Sequence, residues 1–147
     1  MLWRNRVVRE INVDEFSNDV AFEMGLKVIE LARSRGVSIA VSVDRLNHTV
    51  FRFVSDSMPA DKQDWLRRKA NVAIRFEESS LAVKEELAKK NMTLIETFGL
   101  EAKDYVAKGG SIPIKVNAAG LIATVTVSGL SDVDDHELIT TALCQYL

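Results

Sequence analysis

Trp65-Leu66-Arg67-Arg68-Lys69, continuing through Arg75-Phe76 to Ser79-Ser80, is the stretch that decides the fold of this chain. It sets a tryptophan, four cations (Arg67, Arg68, Lys69, Arg75) and two hydroxyls on one helix and its end. Trp65, Lys69, Val72 and Phe76 recur at three- and four-residue intervals and so share a face, with Arg68 and Arg75 on an adjacent stripe. A lysine on that face must be paired, hydrated or in a pocket, because an unpaired buried charge is costly. Pro59 and Ala60-Asp61 open the helix. Ser79-Ser80 interrupts it or starts a new one, since serine hydroxyls compete for backbone hydrogen bonds.

On the N-terminal side, the spacing of Phe16, Val20, Met24, Val28 and Leu31 predicts a helix from Val13 or Asp14 to about Ser34, closed by Gly36 after Arg33 and Arg35. The period then switches to two. Val37 to Val43 and Val50 to Val54 read as paired strands joined by Asp44-Arg45-Leu46-Asn47, with Asn47 suited to a left-handed turn position. On the C-terminal side, Leu81 to Lys90 is a solvated helical face with Glu85/Lys89 and Glu86/Lys90 pairs. Met92 to Lys108 is irregular, with a short helix expected over Leu100 to Tyr105. Ile112 to Val116 and Leu121 to Val127 form a second hairpin turning at Asn117 to Gly120. A last helix starts near Ser131, with Asp134 three residues on in a capping-box-like position. The order of helix, two strands, helices, two strands, helix gives an α+β fold, a central antiparallel sheet with helices packed against it, and not a βαβ repeat.

The bulk properties agree with one globular domain spanning 1–147. The chain has 147 residues, 47% hydrophobic and 27% charged, and a formal net charge of -2. A length of this order buries roughly 68–70% of the extended chain's surface without a disulfide or metal staple. The absence of a basic excess argues against nucleic-acid binding. No apolar run reaches the ~20 residues that span a bilayer, and Met1 to Arg6 lacks the apolar core of a secretory signal. The expectation is a cytoplasmic protein with neither nucleic acid nor membrane as partner. Cys144, the only cysteine, sits in an apolar C-terminal pattern and is expected to be a buried structural thiol.

Three groups of residues could carry chemistry. The cationic helix could recognise a carboxylate or phosphate, with Trp65 as an apolar or cation–π wall. It could equally form a structural or subunit-interface ion-pair network with Glu77, Glu78 or Asp135. Gly109-Gly110 before Ser111-Ile112-Pro113 is either a loop offering backbone N–H groups to an anion or a turn needing positive φ. Asp134-Asp135-His136 falls in the first turn of the last helix. There the imidazole is a catalytic acid–base candidate with Asp135, a structural cap, or part of a metal site whose third ligand is not identifiable. The only other histidine is His48, in the first hairpin.

These residues resemble, in order, those of the GlcG/HbpS-like superfamily, catalogued as a haem-degrading domain, and within it the uncharacterised-protein-family branch of bacteria and fungi. The landmarks are Asp19-Val20-Ala21 to Gly25, Trp65 to Lys69, Arg75-Phe76 with Ser79-Ser80, Gly109-Gly110 with Pro113-Ile114, Ser128-Gly129-Leu130, and Asp135-His136. The resemblance implies a profilin-like fold and homo-oligomers built on dimers. It raises haem as a cofactor, since one branch binds haem. The sequence departs from the branch pattern twice: Lys108 stands where a histidine usually precedes the double glycine, and Lys62 where an asparagine commonly follows the aspartate. With only His48 and His136 present, a histidine-ligated haem is hard to build. The first functional expectation is an oligomeric binding protein for a small anion. Lys69, Arg68 and Arg75 would hold the acid group, Gly109 and Gly110 would supply backbone donors, and Trp65 would close one side. The alternatives are a haem protein or enzyme using His136 and Asp135, and a structural or assembly partner.

Overall fold

The computed structural model describes residues 7–147; the stretch read for a secretory signal, residues 1–6, lies outside them. A five-stranded sheet has the order β1-β4-β5-β2-β3, with β1 at Ile11–Val13, β2 at Ala40–Arg45, β3 at His48–Val54, β4 at Ser111–Val116 and β5 at Gly120–Ser128. The two expected hairpins supply four of the five strands and pair antiparallel, β5 against β2. The unexpected strand is β1, which adds to β4 in parallel, Ile11 opposite Ile114 and Val13 opposite Val116. The helices are α1 (Asn18–Ser34), α2 (Lys62–Phe76), α3 (Ser80–Lys89), α4 (Leu94–Phe98) and α5 (Asp132–Ala142).

Alternation along the strands makes two unlike faces. Val41, Val43, Val125, Val127, Ile112 and Ile114 join Met24 and Val28 of α1 and Leu138 and Ile139 of α5 in the main core. The opposite face, under α2, carries hydroxyls. Ser42 on β2 lies opposite Thr126 on β5, which lies opposite Ser111 on β4, and all three are buried. Ser111 Oγ and Thr126 Oγ1 share a hydrogen bond of 2.9 Å, and the Ser111 N–H donates to Ser80 Oγ at 3.0 Å. Ser79-Ser80 does start a new helix: Ser79 Oγ accepts from the Ala82 N–H and donates to the Val8 carbonyl at 2.6 Å, tying the chain before β1 to the start of α3.

Four local expectations change. Helix α1 begins at Asn18 and not near Asp14, because Ser17 is its N-cap and accepts from the Val20 N–H. Asn47 does not take positive φ; its Oδ1 bonds His48 Nδ1 at 2.8 Å, and the left-handed positions lie in the other hairpin, at Ala118 and Gly120. The short helix is α4, capped by Thr93 and stopped by Gly99 at φ +69°, whereas Leu100 to Tyr105 is turn and coil. Cys144 is exposed in a closing 3₁₀ turn (Cys144–Tyr146), where Leu143 and not the thiol faces the core.

Candidate functional site

Helix α2 buries Leu66, Lys69, Ala70, Val72 and Ala73 against the sheet. Lys69 is 2% exposed, and its Nζ donates to Asp135 Oδ2 at 2.8 Å and to the Val127 carbonyl at 3.0 Å. The other carboxylate oxygen of Asp135 accepts from the Leu130 N–H at 2.9 Å. One ion pair thus pins α2, the end of β5 and the start of α5 together. Burial pushes Lys69 below the ordinary lysine range and Asp135 up to about 6, with their mutual attraction opposing both shifts. Every donor around Asp135 favours the carboxylate form, so the pair is ionic at neutral pH.

Gly110 makes room for this pair. A Cβ there would stand 2.5 Å from the Val127 carbonyl oxygen, 2.8 Å from Lys69 Nζ and 3.0 Å from Asp135 Cβ, and its φ is +131°. Gly109 is packed as tightly, a Cβ falling 2.3 Å from the Asp132 carbonyl oxygen. Its N–H donates to Asp132 Oδ2 at 3.2 Å, and the same oxygen accepts from Lys84 Nζ at 2.6 Å. Burial alone would raise Asp132, but these two hydrogen bonds hold it below the usual carboxylate range. The double glycine is therefore a close-packing device whose Gly109 donor is already used.

Beside the pair lies a cleft of about 170 Å³ lined by Lys62, Trp65, Lys69, Lys108, Ser128, Leu130, Asp132 and Asp135. Trp65 forms a half-buried wall, with Lys62 Nζ 5.7 Å and the Arg68 guanidinium 5.1 Å from its ring centroid. Of the residues singled out from sequence, Trp65, Lys69 and Asp135 line this cleft, and Gly110 abuts the Lys69 ammonium from behind. Arg68 does not line it; one residue round the helix, its Nε donates to the Ala102 carbonyl at 2.8 Å. Arg75, six residues beyond Lys69, faces away and is exposed in the last turn of α2. Arg67 is bonded to Asp64, Asp104 and the Lys103 carbonyl. Lys62, Lys108 and Asp132 were missed as site residues. The available signal was that Lys62 and Lys108 are the two departures from the branch pattern, and the fold brings both to one cleft.

His136 does not open on the cleft. It is 6% exposed, and its Nδ1 has no hydrogen-bond partner among the described residues. Burial lowers it from the ordinary 6.5 to about 4. As the pH falls below 6.5 the unfolded chain takes up a proton that the folded state refuses, so the stability contributed by His136 is complete above 6.5 and is lost toward pH 4. At about 1.4 kcal/mol per pH unit, that loss approaches ~3 kcal/mol. Asp135 acts in the opposite sense, because burial raises it from 3.8 to about 6. Its contribution is present below the lower value and is lost as the pH rises through the higher. His136→Gln isolates the first effect. Between neutral pH and about pH 4 the urea midpoint of the variant is expected to fall less than that of the wild type; equal falls would mean that the folded imidazole titrates normally.

The family model described as haem degrading protein HbpS-like matches residues 16–144. A UPF0303 protein of Zymomonas mobilis is 36% identical over 137 residues, 93% of this chain and 74% of the relative. Among solved structures, the Ybr137w protein superposes with a TM-score of 0.85 at 25% identity, covering 92% of this chain and 81% of that one. The PduOC:haem complex superposes with a TM-score of 0.72 at 18% identity, covering 90% and 94%, a likeness of fold. The α+β architecture, the ordered landmarks and the span of these similarities agree: the chain belongs to the HbpS-like family.

Proposed function

We propose that this protein binds a small anion in the cleft beside the Lys69–Asp135 pair. The observation that carries the proposal is an imbalance of charge. The acids of the cleft are engaged, Asp135 by Lys69 and Asp132 by Lys84. Lys62 and Lys108 meet no carboxylate within ion-pair distance among the described residues. Two ammonium groups beside an indole wall suit a carboxylate or phosphate of a few heavy atoms, and about 170 Å³ admits nothing much larger. Lys69 then acts as a positioning residue that holds α2 and the turn after β5 at a fixed separation. Trp65 lies against the ligand, so its fluorescence reports binding; Trp3→Phe leaves Trp65 as the sole indole. Titration with inorganic phosphate, oxalate and acetate is expected to give a saturable change at low salt that weakens as salt rises. No change with any of them would count against the proposal.

Haem enters through the family's description and the PduOC:haem complex. The cleft residues do not fit it. The lining supplies none of histidine, cysteine, methionine or tyrosine, the usual axial ligands of haem iron, and about 170 Å³ is too small for the macrocycle. His136 is sealed in the interior and His48 stands on the exposed hairpin tip. A homo-oligomer is part of the proposal. Strand β3 ends the sheet, and exposed Phe22 of α1 stacks edge-on against Phe51 of that strand. Sedimentation of the titrated samples tests the oligomer.

A further inference from the structure

The opposite flank of α2 holds a second, wider cleft of about 650 Å³, bounded by the β2–β3 hairpin on the sheet side. Gln63, Arg67, Ala70 and Ile74 form its helical wall at intervals of four, three and four residues, a stripe well away from Trp65 and Lys69. Its floor contains Thr124, wholly buried on β5, whose Oγ1 has no hydrogen-bond partner among the described residues. A buried hydroxyl left unbonded is costly, and the neighbouring Ser42, Ser111 and Thr126 hydroxyls on this face are bonded.

Next to it, Arg52 reaches across β2. Among the described residues its guanidinium is held by long contacts alone, 3.4 Å to Ser42 Oγ, 3.3 Å to Gln63 Oε1 and 3.9 Å to Asp44 Oδ1. Asp44 has better partners of its own in the Ser42 and Thr49 hydroxyls. Thr124 lies opposite Asp44 in the sheet, and the loosely held guanidinium and the orphan hydroxyl belong to residues that line the same cleft. On the helix side, Asn71 donates its amide N–H to the Asp104 carbonyl at 2.8 Å, which leaves its Oδ1 as an acceptor on the cleft.

We propose that this second cleft binds a small hydroxylated organic anion. The oxyanion takes the fork of Arg52, and a ligand hydroxyl accepts from Thr124 Oγ1 while donating to Asn71 Oδ1. Glycerate and glycerol 3-phosphate share this chemistry and differ in the oxyanion, so they separate a hydroxy acid from a phosphate ester. The site is independent of the Lys69 cleft.

Two-dimensional ¹H–¹⁵N spectra of the full chain, titrated with glycerate, glycerol 3-phosphate, glycerol and inorganic phosphate, test it. Saturable shifts at Arg52, Asn71 and Thr124 are expected with one or both hydroxylated anions, and at least tenfold weaker effects with glycerol and with phosphate. Arg52→Gln is expected to weaken binding about tenfold. Thr124→Val separates a binding role from a structural one. It removes an unbonded hydroxyl at constant shape, so binding is expected to fall while the melting temperature of the free protein rises by about 2–4 °C. Shifts confined to Trp65 and Leu130, glycerol binding as well as glycerate, or a Thr124→Val protein that binds like the wild type would each overturn the assignment. So would the absence of any shift at millimolar ligand.

Discussion

Lys69→Met is expected to cost about 3–5 kcal/mol of folding stability, although methionine nearly preserves the volume of the side chain. The cost comes from what remains. Asp135 is 1% exposed, and without its ammonium partner it becomes a buried carboxylate whose remaining donor among the described residues is the Leu130 N–H. The Val127 carbonyl also loses the donor that Lys69 Nζ supplies. Asp135→Asn in the same chain removes the orphaned charge but keeps an acceptor for Leu130. The double variant is therefore expected to regain about 2 kcal/mol relative to the sum of the single substitutions. Urea unfolding of the four proteins measures this coupling. Additive effects would show that Lys69 and Asp135 are buried side by side without depending on each other.

Gly110→Ala is expected to be the other severe substitution, destabilising by roughly 2–6 kcal/mol. Of that, about 1–3 kcal/mol comes from φ +131° and about 1–3 kcal/mol from overpacking against Val127 and Lys69. A methyl group there meets a backbone oxygen and the buried ammonium, neither of which can retreat without breaking the ion pair. Gly36→Ala is the control. Gly36 has φ +67° but nothing within 4 Å of a new Cβ, so only the backbone term of about 1–2 kcal/mol applies. Thermal melts of the two variants are expected to differ by several degrees. Equal shifts would remove the packing role assigned to Gly110.

Much of the framework was legible because local signals and tertiary packing agree. Ser79-Ser80, Gly36 and Ser131 mark element boundaries through caps that the fold keeps. Strand β1 was not legible: three residues with a parallel partner a hundred positions away carry no local period. Asp14 looked like a helix start because an acid before an apolar period fits that role, yet Ser17 supplies the oxygen that the Val20 N–H needs. At the site, the spacing of Trp65 and Lys69 placed both on one face, and Asp135 was among the partners considered for the cations. Arg68 and Arg75 were grouped with Lys69 by chemistry, but one and six residues of helix turn them elsewhere. The hydroxyl face under α2 went unread, because serine and threonine at alternate strand positions look the same whether they meet water or a helix.

In the proposed reading, Lys62 and Lys108 together make the Lys69 cleft an anion site. Its most direct test is calorimetric titration of inorganic phosphate and oxalate into the wild type and into Lys62→Asn/Lys108→His, which restores both residues of the branch pattern and leaves the Lys69–Asp135 pair intact. The wild type is expected to bind at least one of the two anions, and the double variant to bind it at least tenfold more weakly with an unchanged melting temperature. Equal affinity in both proteins would contradict the claim.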